Sequence, residues 1–130
     1  MSFEVYFDGI KKVNARIGSF VIKTDQSVQS GGNGSAPEPF TLFLASLATC
    51  AGIYVKSFCD QRKIPSQDIT LTMDHHYDPV ARIIGKIMIN INVPPDFPEK
   101  YDNAVISSAS LCTVKRHLKD SISVEIAVRR

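Results

Sequence analysis

At 130 residues, 44% apolar and 22% charged, the chain has the size and composition of one soluble globular domain spanning 1–130. A net charge of +2 gives no electrostatic footprint for nucleic acid. Met1-Ser-Phe-Glu-Val-Tyr-Phe-Asp-Gly has two acids and no basic run ahead of an apolar core, so no signal peptide is expected. The expected location is therefore the reducing cytoplasm, where three cysteines serve as buried or reactive thiols.

Residues 3–25 read as a small antiparallel meander. Phe3-Glu-Val-Tyr-Phe stops at the hairpin signal Asp8-Gly9, and Lys12-Val-Asn-Ala-Arg and Ser19-Phe-Val-Ile-Lys-Thr-Asp follow, with Gly18 between them. From Gln26 to Glu38 the chain is rich in Ser, Gly, Asn and Pro and reads as a mobile loop. Pro39 suits a first helical position, and Glu38 before it suits the cap. The helix is expected over about 39–62, broken before Pro65. Pro39 to Val55 is 17 residues without a charge, just under the roughly 20 that span a bilayer, and then meets Lys56, Asp60, Arg62 and Lys63. It reads as a helix buried on nearly every side, with no membrane partner.

Two strands follow: Gln67 to Tyr77, with Ile69, Leu71 and Met73 on one face, and the β-branched run from Ala81 to Val93, joined at Asp78-Pro79. Pro94-Pro95 ends the second, and Asp96 with Glu99 forms a potential capping box for a second helix over about 97–119. Ser121 to Val128 alternates as a final strand. The order βββ-α-ββ-α-β defines an α+β fold with two long helices on antiparallel sheets. A long helix apolar nearly all round needs more cover than one small sheet provides, so a homodimer is expected.

Cys50 ends the apolar run from Pro39, and Cys112 sits in Ser108-Ala-Ser-Leu-Cys-Thr-Val-Lys-Arg-His-Leu. No CxxC pair or Cys/His cluster is present, so no bound metal is expected; no other bound cofactor is expected either. A lone helical cysteine is ordinarily a small buried hydrophobe. Two thiols on helices packed side by side are also the minimal apparatus for reducing a peroxide.

The Gly/Asn-rich loop into Ala36-Pro-Glu-Pro, the segment Leu42-Phe-Leu-Ala-Ser-Leu-Ala-Thr-Cys50, and Ala109-Ser-Leu-Cys112-Thr-Val occur in the order found in the OsmC/Ohr family of thiol-dependent peroxidases, which the whole chain resembles. The resemblance implies an intertwined homodimer in which Cys50 is peroxidatic and Cys112 resolving. Organic hydroperoxides would be substrates, and an external dithiol would reduce the resulting disulfide. The Ohr branch has a glutamate ten residues before its peroxidatic cysteine, paired with an arginine from the N-terminal strands. Here Phe40 stands in that place, Glu38 is the nearest acid, and Arg16 is the matching arginine. Thr113 replaces the proline common after the second cysteine. These departures place the chain nearer the broader OsmC-like branch.

Cys50 lies about three turns into its helix, beyond the influence of that helix's N-terminus, so a nearby cation is expected to supply its thiolate. Arg16 is the favoured source, and Arg116, four residues after Cys112, is its rival. Cys59 reads as a packing thiol, His75 and His76 point to opposite strand faces, His117 has no acid or histidine beside it, and Gly31-Gly-Asn-Gly lacks the setting of a phosphate loop. The competing function is a non-enzymatic member of the same fold, either a redox sensor or a module for a small apolar ligand.

Overall fold

The computed structural model describes residues 1–119 and 123–129, in two compact units that divide between Ala45 and Ser46. In the first unit, β1 (Glu4–Phe7), β2 (Val13–Ile17) and β3 (Phe20–Ile22) form an antiparallel sheet in the order β1-β2-β3. Gly9 (φ 114°) and Gly18 (φ 57°) turn the chain between them, in conformations that a side chain would strain. Asn14 is buried and satisfied at both ends, donating to Asp8 Oδ2 (3.3 Å) and accepting from the Thr24 backbone N–H (3.4 Å).

The glycine-rich segment after the meander is a folded loop, which corrects its reading as mobile. Ser27 caps a 3₁₀ turn, Val28–Ser30, and Asp25 is fully buried at the centre. One Asp25 oxygen accepts from the Asn33 N–H (3.3 Å), the Ser35 N–H (3.1 Å) and the Ser35 hydroxyl (2.6 Å). The other accepts from the Gln26 N–H (2.7 Å). These bonds, with the Ser35 hydroxyl contributing most, hold the carboxyl well down, at about 2. A Cβ at Gly32 would collide with the Gln26 carbonyl oxygen and crowd Asp25 Oδ1 at 2.7 Å, so the loop closes only around glycine there.

α1 (Pro39–Gln61) begins at the predicted proline and ends within one residue of expectation. Lys63 takes a left-handed φ of 55°, the Ile64 N–H returns to the Cys59 carbonyl (2.9 Å), and Pro65 prevents resumption. By length and composition α1 is apolar enough to cross a membrane. Within the single chain its burial is one-sided. Leu47, Ala51, Val55, Phe58 and Cys59 form a buried stripe at helical spacing, while Ile53 is exposed.

In the second unit, Val55, Phe58 and Cys59 pack with Phe97 and Val105 as the core, against Ile69, Leu71 and Ile91 of the neighbouring hairpin. The Phe58 ring meets Tyr101 edge-on (5.8 Å), and the Arg62 guanidinium stacks 3.6 Å over Phe58, closing that end. The hairpin pairs β4 (Thr70–Asp78) with β5 (Ile83–Asn92) in antiparallel register, Leu71 opposite Ile91 and Met73 opposite Ile89.

The second helix departs most from expectation. A 3₁₀ turn (Glu99–Tyr101) leads into α2 (Asp102–Ala109), the chain breaks over residues 110–112, and α3 (Thr113–His117) begins anew. The Ser110 hydroxyl bonds back to the Ile106 carbonyl (2.8 Å), and Cys112 leaves helical geometry (φ −48°, ψ 133°). The Asp96/Glu99 capping box does not form, because the turn starts at Pro98 without a side-chain cap. Part of the expected last strand lies outside the described residues, and 123–129 form no strand. Val124, Ile126 and Val128 alternate as predicted but stand exposed.

Gly32→Ala is expected to cost about 1–3 kcal/mol through overpacking, read from the denaturant midpoint. Because the folded Asp25 carboxyl sits below its unfolded value of 3.8, its contribution is complete above that pH. It is lost as pH falls towards about 2. Asp25→Asn should therefore lower Tm at neutral pH and flatten the fall in Tm between about pH 4 and pH 2. An unchanged acid limb would contradict the central role of this carboxylate.

Candidate active site

Cys50 is half-buried on α1, three residues after the buried Leu47 and next to the buried Ala51. Cys112 is buried and forms the cap of α3, its Sγ accepting the Lys115 N–H at 3.3 Å. Although 62 positions separate them, the Cys112 side chain is among the groups that favour a thiolate at Cys50. Cys112 therefore has two tasks. It ends the α2 segment by capping a new helix, and it presents its S–H to Cys50.

The Cys50 pKa is lowered, chiefly by the backbone N–H of Val114 and then by the Cys112 S–H. Burial opposes this, while the Thr113 N–H and the Arg116 charge add smaller lowering contributions. The first N–H groups of a helix have no acceptor inside it, and at the start of α3 those of Val114 and Thr113 favour the Cys50 thiolate. A helix other than its own thus activates Cys50, and neutral donors outrank the cation. A nearby cation, Arg116, is also among the groups that lower its pKa.

Arg16 and Glu38 both lie in the first unit. Arg16 donates to Glu4 Oε1 (3.2 Å) and stands 4.9 Å from the Tyr6 ring centre, while Glu38 Oε1 accepts the Ser27 N–H (3.2 Å). The positive charge acting on Cys50 includes that of Arg116. The donors at Thr113 and Val114 escaped sequence reasoning because backbone N–H groups carry no residue signature. Thr113 in place of proline was the available signal, since proline has no N–H to give.

Beside Cys112, a cavity of ≈ 760 Å³ opens among α1, β5, α2 and α3. Its wall includes Leu47, Ile87, Ile89, Ile91 and Ile106, with Lys115 as its charged lining residue. The third thiol behaves differently. Cys59 is fully buried in the core, and burial pushes its pKa up.

Iodoacetamide at neutral pH is expected to label Cys50 well before Cys59, with Cys59 reacting once the chain unfolds; equal rates in the folded protein would contradict this assignment. Arg116→Ala should raise the Cys50 pKa modestly, and the same pH–rate profile for Arg16→Ala ranks the two arginines.

The profile of the OsmC-like protein family matches residues 32–127, three-quarters of the chain. No curated protein matches the sequence. Among solved structures, similarity extends to a Psychrobacter arcticus 273-4 protein named for osmotic stress induction and a detoxification response. That pair has 21% identity and a TM-score of 0.75, over 89% of this chain and 86% of that one. An OsmC-like protein from Mycoplasma pneumoniae matches at 14% identity and TM-score 0.72, over 91% of this chain and 86% of its own. An organic hydroperoxide resistance protein OsmC from Legionella pneumophila matches at 18% and 0.58, over 92% and 90%. These likenesses establish the shared fold, and with the profile match over most of its length the chain belongs to the OsmC-like protein family.

Proposed function

We propose that this protein is a thiol-dependent peroxidase that reduces organic hydroperoxides to alcohols through Cys50 and Cys112. The observation that carries this reading is a thiol of lowered pKa with a second thiol in reach of its sulfur. The Cys50 thiolate attacks the distal peroxide oxygen, the O–O bond breaks, and the alkoxide takes a proton to leave as the alcohol. Cys50 is then a sulfenic acid. The Cys112 sulfur attacks it, forming the S–S bond and releasing water. An external dithiol returns both thiols by exchange and is itself oxidised to a disulfide. Family membership and the hydroperoxide-resistance name of the Legionella relative support the substrate class. No bound cofactor is needed, and the reducing cytoplasm would supply the dithiol.

The active form we propose is a homodimer. Phe3, Val5, Phe7 and Phe20 on the N-terminal sheet and Ile53 on α1 are all exposed in the single chain, and a second copy would cover such residues. Sedimentation equilibrium should give twice the 14.4 kDa chain mass; a monomer at micromolar concentration would count against this assembly.

Cumene hydroperoxide should consume two thiols per chain and give a Cys50–Cys112 disulfide on peptide mapping. Cys50→Ser should abolish the reaction, whereas Cys112→Ser should stop at a sulfenic acid that dimedone traps on Cys50. If both thiols stay reduced while peroxide is present in excess, the peroxidase reading fails. The apolar cavity beside Cys112 supports a second reading, a sensor or apolar-ligand module on the same fold. Turnover with a dithiol separates the two: a peroxidase cycles fast enough to outcompete free thiol, and a sensor oxidises once and recovers slowly.

A further inference from the structure

Thr113 is the residue at which the two sides of the site join. Its Oγ1 lies 3.5 Å from the Tyr54 hydroxyl on α1 and accepts from Arg116 Nη2 at 3.4 Å on α3. Tyr54 follows Cys50 by four residues, which places both on one face of α1. On the backbone side, the Thr113 carbonyl lies 2.7 Å from His117 Nδ1, one turn further along α3. A threonine hydroxyl offers one proton and two lone pairs, enough to serve Tyr54 and Arg116 together.

We propose that Thr113 is a positioning residue for Cys50. Its hydroxyl, held between Tyr54 and Arg116, fixes the start of α3 against the face of α1 that carries Cys50. With that register held, the Thr113 and Val114 N–H groups and the Arg116 charge keep their favourable influence on the Cys50 thiolate. The inference rests on Cys50 as the reacting thiol and adds what holds its donors in place. It needs this chain's own threonine, since valine lacks the hydroxyl and proline lacks both the hydroxyl and the N–H.

That difference makes the test. Thr113→Val keeps the shape and the N–H, and removes the tie to Tyr54 and Arg116. Thr113→Pro also removes the N–H at a first helical position, where proline is otherwise well accepted. The readout is the midpoint of the Cys50 iodoacetamide rate against pH, with Cys59 labelling and Tm measured on the same samples. Thr113→Val should move the midpoint up by roughly 0.5–1 unit, the scale of losing an exposed hydrogen-bond tie. Thr113→Pro should move it further, Tyr54→Phe less, and Thr113→Ser should restore it. A variant that merely loosened the fold would expose Cys59, whereas a positioning effect moves Cys50 and leaves Cys59 unreactive. A wild-type midpoint in Thr113→Val overturns the proposal, whatever Thr113→Pro does to folding. If the midpoint shifts but the wild-type protein consumes no cumene hydroperoxide, the positioning role stands and the peroxidase reading falls.

Discussion

The site depends on a helix that stops and restarts. Were residues 97–119 one continuous helix, the N–H groups of Thr113 and Val114 would be spent on carbonyls four residues earlier. Because Cys112 leaves helical geometry and caps a new segment, those two N–H groups have no partner within α3. Both favour the Cys50 thiolate. The same break lets one sulfur serve as cap and hydrogen-bond donor at once. It accepts from Lys115 N–H and presents its own proton to Cys50. The interruption in the helix is thus the source of the chemistry.

Much of this arrangement was legible in the sequence, and the unread part has a physical cause. The start of α1 at Pro39, its end before Pro65 and the β4–β5 hairpin all follow from local signals. The break at 110–112 did not, because the apolar spacing of Val105, Leu111, Cys112 and Leu118 fits a continuous helix. The spacing cannot register hydroxyl competition at Ser110 or the dihedral angles of Cys112. The activating N–H groups were invisible for a related reason: every residue except proline has one, and only its geometry makes it functional.

The glycine-rich segment was misread through composition. Gly31, Gly32 and Gly34 within four residues suggest flexibility, yet each serves a defined shape around one buried carboxylate. Gly32 leaves room for the Gln26 carbonyl, and Gly31 and Gly34 take left-handed dihedrals. Asp25 then gathers donors from residues up to ten positions away, replacing the hydration it lost on burial. Sequence marks the glycines, but the single acid that organises them lies just outside the run.

Cys50 and Cys59 show how little of a thiol's reactivity belongs to its residue type. They sit nine positions apart on one helix, so they start with the same chemistry and nearly the same local backbone. Nine residues turn the helix by half a revolution, which sends Cys59 into the apolar core and Cys50 towards α3. In the core a charged sulfur has no donor to replace water, so burial raises the Cys59 pKa. At α3 the Val114 and Thr113 N–H groups, the Cys112 thiol and Arg116 together outweigh burial and lower that of Cys50. Rotation about one helix axis therefore decides which cysteine can react, and the break before α3 decides what it meets.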